Sequence, residues 1–244
     1  MGDFTAQVSS SIDALSKEFE IVTHNLANVS TVGYKRRCNV FSKTLQAQQA
    51  GLTKGEEGGV GSSTVFDFSQ GSIVETGQPL DFALHGKGFF VIETPDGPLY
   101  TRNGVLRTNQ NGQIVDFAGR IVAGDSGPIV VPSNVGYSEL SVTADGTLSA
   151  GHASIGQFRL VDFGSNESKL VPVGSNCFHM PDKDVVPAAA GSVVVKQGYQ
   201  EASNVKVVDE LVNMILVSRM YEANMRLVTA KREASTSSMA VATG

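Results

Sequence analysis

The chain has 244 residues and a formal net charge of −5, with 41% apolar and 18% charged residues. It is long enough to bury a sizeable core in one or two domains. Its acidic balance, with no basic run longer than Lys35-Arg36-Arg37, argues against nucleic acid as a partner, because phosphate binding needs clustered Lys and Arg.

Residues 3 to 29 place apolar side chains at Phe4, Val8, Ile12, Leu15, Phe19, Val22, Leu26 and Val29. From Ile12 the steps alternate three and four, the pattern of a coiled-coil seam. One narrow seam on a long helix needs a partner helix, since alone in water it is marginal. Asn28, Ser30, Thr31 and Gly33 then end the helix, with Gly33 free to take the left-handed conformation of a C-terminal cap. Lys35-Arg36-Arg37 reads as a solvated helix exit near the negative end of the dipole. Asn25 falls beside the seam, which predicts a flank position facing a neighbouring subunit. No window is apolar for the length of a bilayer, and the N-terminus has Asp3, Gln7 and Asp13 where a secretory signal needs basic and then apolar residues. The expectation is a chain without a cleavable signal, either cytoplasmic or moved by a route that does not read one.

Residues 42 to 64 are polar and glycine-rich, as in a linker or long surface loop. Val65 to Val195 carries short β-branched and aromatic runs divided by turn signals. Phe89-Phe90-Val91-Ile92 precedes Pro95-Asp96-Gly97, and Leu99-Tyr100-Thr101 precedes Asn103-Gly104. Turns at that spacing predict consecutive antiparallel hairpins, in a barrel- or sandwich-like β domain. From Ser203 to Arg232 the period is helical again. Ser203 or Asn204 is a candidate cap, and the seam runs through Val207, Leu211, Met214, Tyr221, Met225 and Val228. The two seams predict each other's partner. The fold class is therefore α+β, with residues 1–35 and 200–244 as a discontinuous helical domain, 36–64 as linker and 65–199 as a β domain.

Catalytic and metal chemistry finds no support. His24, His85, His152 and His179 lack metal-ligand spacing, and there is no nucleophile elbow or phosphate-binding glycine loop. Cys38 and Cys177 fit no metal motif; they are one disulfide or two thiols. No enzyme activity and no cofactor is expected.

Four stretches in order resemble one family. N-L-A-N-V-S-T-V-G-Y-K-R at 25–36 is similar to the N-terminal signature of flagellar axial proteins, the rod, hook and hook-associated subunits. Q-G-S-I-V-E-T-G-Q-P-L-D-F-A-L-H-G-K-G-F-F-V-I at 70–92 and Y-T-R-N-G at 100–104 resemble a segment shared by rod and hook subunits. G-Y-Q-E-A-S-N-V at 198–205, V-N-M-I at 212–215 and R-M-Y-E-A-N at 219–224 resemble their C-terminal signature. The resemblance implies a structural subunit of the basal-body rod, exported through the flagellar channel and crossing the periplasm without inserting in a membrane. Its implied partners are copies of itself, other rod or hook subunits and the export apparatus. It implies that the terminal helices form an inner coiled-coil layer and the β domain an outer one. The assembly residues then read as Leu15, Phe19, Val22, Asn25, Leu26, Ala27 and Asn28 on the first helix, with Leu211, Met214, Tyr221, Glu222, Ala223, Asn224 and Met225 on the last. The short run from Phe41 to Gln70 favours a proximal-rod type, with distal rod or hook as the alternative. A reading of a different class is a secreted β-domain enzyme or carbohydrate-binding module with helical dimerisation ends.

Overall fold

A computed structural model describes residues 2–39 and 64–243. The chain divides into two compact units. One holds residues 2–28, 37–39, 64–66 and 205–243; the other holds Val29–Arg36 and Asp67–Asn204. The expected helical segment 1–35 thus gives its last residues to the β-rich unit. Most of the expected 36–64 linker lies outside the described residues, and its first residues form a strand.

The first unit is built on α1 (Gly2–Ala27) and α2 (Val207–Thr243), which lie against one another, with the two-stranded ribbon β1 (Arg36–Asn39) and β2 (Thr64–Asp67). The helical period read as far as Arg232 is carried further: α2 continues to Thr243. The serines and threonines of that tail are weak helix formers, but its alanines are strong ones, and no Pro or Gly interrupts it before Thr243. α2 begins at Val207, beyond both expected caps. Asn204 donates its amide to the carbonyls of Asp67 at 2.8 Å and Ser69 at 3.1 Å.

The second unit is antiparallel at every pairing recorded within it. Its largest sheet follows the order β15 (Val171–Gly174), β16 (Cys177–His179), β6 (Leu99–Thr101), β5 (Phe89–Glu93), β9 (Ile121–Gly124), β8 (Ile114–Val115), β7 (Arg107–Thr108). That order does not close on itself, so the described residues form no closed barrel. Strands β18 (Val194–Gln197) and β19 (Tyr199–Glu201), late in the chain, return to pair with β4 (Phe82–His85) and β3 (Ile73–Glu75). The Ser175-Asn176 turn joins β15 to β16 with both residues at positive φ, the geometry of a tight hairpin.

β5 is buried on both faces, which is why its sequence shows no alternation. Phe90 and Ile92 enter one core with Phe82, Leu84, Ile114, Leu148 and Phe158, where Phe158 stands edge-on to Phe82 at 5.0 Å and to Phe90 at 5.5 Å. Phe89 points the other way, edge-on to Phe68 at 5.5 Å and Phe163 at 6.0 Å. Each such edge-to-face pair adds about 0.5–1.5 kcal/mol to plain burial.

Candidate functional site

The described residues contain no cluster of His, Cys, Asp or Glu able to hold a metal. Among the described residues no helix is long and apolar enough to cross a membrane. Two other constellations stand out: the facing surfaces of α1 and α2, and a buried charge cluster inside the β-rich unit.

On α1, Val8, Ile21, Val22 and Asn25 are buried, while Ile12, Leu15 and Leu26 are half-buried. Phe19 is 42% exposed and Ala27 is exposed. Asn25, expected on the flank, is fully buried. Its Oδ1 accepts the Arg37 N–H at 2.8 Å, and its Nδ2 donates to the Arg37 carbonyl at 2.9 Å and to Glu210 Oε1 at 3.4 Å. One side-chain amide thereby satisfies both the N–H and the carbonyl of Arg37 in β1, and that demand draws it inward. Asn28 stays half-buried, its Nδ2 donating to the His24 carbonyl at 2.9 Å. Burial, with Arg37 nearby, lowers the His24 pKa and so favours its neutral imidazole.

On α2, Glu210 and Val217 are buried, and Met214, Asn224 and Val228 are half-buried. Leu211, Tyr221, Glu222, Ala223 and Met225 are exposed. The contact line is turned by about 50° from the expected seam at 100° per residue. A four-three alternation fits two neighbouring phases, and Glu210 meeting Asn25 selects one of them. A second apolar line of Val208, Val212, Ile215, Leu216, Met220 and Leu227, each at least half exposed, covers the roughly opposite face of α2.

The charge cluster joins three of the sequence motifs. Lys35 Nζ lies 2.6 Å from Glu201 Oε1 and donates to the Ser69 carbonyl at 2.7 Å. Arg102 Nη1 lies 3.4 Å from Glu201 Oε2, while Nη2 donates to the Gly86 carbonyl at 2.7 Å. The Arg102 guanidinium also sits 5.3 Å from the Phe89 ring centre. Lys35, Arg102 and Glu201 are all buried, and Arg102 Nε has no hydrogen-bond partner. Burial depresses the pKa of both cations, and Glu201 works against that depression. The solvated exit expected of Lys35 is thus overturned: the helix ends at Ala27, and the chain then turns into the β-rich unit.

Residues 29–36 run through that unit as a strap. Gly33 donates its N–H to the Glu201 carbonyl at 2.7 Å, and Asn176 Nδ2 donates to the Val32 carbonyl at 3.0 Å. Gly33 has φ +68°, and a Cβ there would fall 2.6 Å from the Asn103 nitrogen. Its left-handed geometry is as expected, but it serves this close approach to Asn103, six residues past the helix end, where it caps nothing. Arg102, Glu201 and Glu210 were not singled out from sequence, and Lys35 and Asn204 were read only as a solvated helix exit and a candidate cap. The available signal was that Lys35, Arg102, Glu201 and Asn204 all lie inside the quoted motifs.

Both cysteines are thiols. Cys177 is buried, and burial pushes its pKa up, although Arg120 Nη2 stands 3.1 Å from Sγ.

Residues 83–150 match the family described as flagellar hook protein FlgE/F/G D1 domain, and 196–239 match the flagellar basal body rod FlgEFG protein C-terminal family. The flagellar basal-body rod protein FlgG of Buchnera aphidicola (Schizaphis graminum) is 36% identical over 239 residues, 89% of this chain and 91% of that protein. FlgG of Agrobacterium fabrum is 32% identical over 93% of this chain and 95% of its own length. The basal-body rod protein FlgF of Salmonella typhimurium is 33% identical, covering 87% of both chains.

Proposed function

This chain belongs to the flagellar basal-body rod protein family, and we propose that it is a structural, non-enzymatic rod subunit that polymerises through α1 and α2 as a coiled-coil layer. The carrying observation is that α2 is apolar on two sides. One line faces α1, and the other, Val208 to Leu227, stands exposed in the single chain. Exposed apolar area of that length marks an interaction surface. The neighbours it would meet are copies of this chain and other rod or hook subunits.

The test is Leu216→Asp with Met220→Asp in the full chain. The expected result is loss of incorporation into basal bodies, with the unfolding midpoint of the isolated β-rich unit's signal unchanged. Normal incorporation would overturn the reading. The proximal position rests on the short run from Phe41 to Gln70, while relatives of both FlgG and FlgF type match at similar identity. Labelling along purified basal bodies decides between proximal and distal. The same reading has the chain reach the rod through the flagellar export apparatus, without a cleavable signal; an intact N-terminus on rod-incorporated protein is the expected finding.

A further inference from the structure

We propose that Lys35, Arg102 and Glu201 act as a completion latch, which holds the β-rich unit unfolded until residue 201 has emerged from the growing chain.

The argument begins with a charge imbalance. The cluster buries two cations and one carboxylate, and both ion pairs of Lys35 and Arg102 run to Glu201. A chain delivered from its N-terminus supplies Lys35 first, then Arg102, and Glu201 only near the end. Before Glu201 arrives, docking the Val29–Arg36 strap together with β4, β5 and β6 would bury Lys35 and Arg102 with no contacting anion. Removing one partner from a buried pair is strongly destabilising, because an uncompensated charge remains. Asp67, Asp162 and Glu167 act on these cations through space, but none of them forms an ion pair with either.

The backbone reinforces the imbalance. Glu201 Oε1 also accepts the Gly71 N–H at 3.0 Å, and its own carbonyl accepts the Gly33 N–H at 2.7 Å. One late residue therefore closes the early strap, the segment before β3 and the arginine after β6. Its strand, β19, is also the partner of β3. A partial chain lacks all of these together, so the penalty and the missing closure coincide.

The test is pulsed hydrogen exchange during refolding of the full chain. In the wild type, amides of Phe82–His85, Phe89–Glu93 and Leu99–Thr101 should gain protection in the same phase as Tyr199–Glu201. Glu201→Gln should raise the unfolding equilibrium constant roughly 100-fold or more, since it strands both cations. Should that variant fail to fold, Lys35→Met with Glu201→Gln keeps the question open to measurement. It carries one stranded cation whether or not residue 201 has docked, so its β4–β6 amides should be protected several-fold sooner than those of the wild type. Wild-type protection of β4–β6 ahead of 199–201 would overturn the latch. So would a double variant that keeps the wild-type order and rate.

Discussion

Lys35 and Glu201 are separated by 166 positions in the chain, yet their charged atoms meet at 2.6 Å with both side chains fully buried. The first follows the N-terminal helix and the second precedes the C-terminal one. The β-rich unit is therefore closed by residues from both margins of the chain.

The excess of cations makes the two partners unequal. Glu201→Gln leaves two buried cations and should cost about 3–5 kcal/mol. Lys35→Met leaves Arg102 paired with Glu201 and should stay within about 2 kcal/mol of the wild type. Urea unfolding followed by the β signal gives both values. Equal costs would show that packing, and not charge, sets the energetics here.

Asn25 should matter far more than another polar residue of its helix. Asn25→Ala leaves the Arg37 N–H and carbonyl without their amide partner and should cost about 2–3 kcal/mol. Thr23→Ala removes only an exposed bond to the Phe19 carbonyl of the same helix and should cost under about 0.5 kcal/mol. Thermal unfolding followed by helical dichroism compares them, and similar losses would refute the role given to Asn25.

Glu167 supplies a pH dependence of defined sign. Burial, helped by Asp162, raises its carboxyl pKa against the pull of Lys87, Arg102 and Lys35. Between the unfolded and folded values the folded chain binds more protons, so this group's stabilising contribution falls as pH rises. Glu167→Gln should unfold at higher urea than the wild type at pH 7. The gap should close below about pH 3.5, where the carboxyl is largely protonated in both states. A gap that widens on acidification would reverse the sign and defeat the account.

The two thiols should react at different rates. Cys177 is buried with a raised pKa, whereas Cys38 is half-buried. Thiolate availability controls alkylation, so iodoacetamide at pH 8 should modify Cys38 first, with Cys177 following only on unfolding. Peptide mass mapping reads the order, and comparable native-state rates would count against the buried placement.

Much of the architecture was legible from local signals. The α1 periodicity, the turn signals after β5 and β6, and the helical return after Ser203 are short-range patterns, and each marks an element that forms. Phases and partners were less legible. The α2 seam could take either of two phases in a four-three alternation, and Glu210 meeting Asn25 decides between them. Lys35 looked like a solvated cation because nothing within several residues of it is acidic.

The sequence by itself determined an α+β chain with helical ends, a strand-rich middle and membership of a structural family. Those properties rest on periodicity, turn chemistry and motif order, all readable along the chain. Tertiary structure alone decided that Asn25 turns inward, that α2 keeps a second apolar line exposed, and that Lys35, Arg102 and Glu201 meet. Burial and charge pairing depend on which distant residues share a volume, and that is set by the return of β18 and β19 to strands laid down more than a hundred residues earlier.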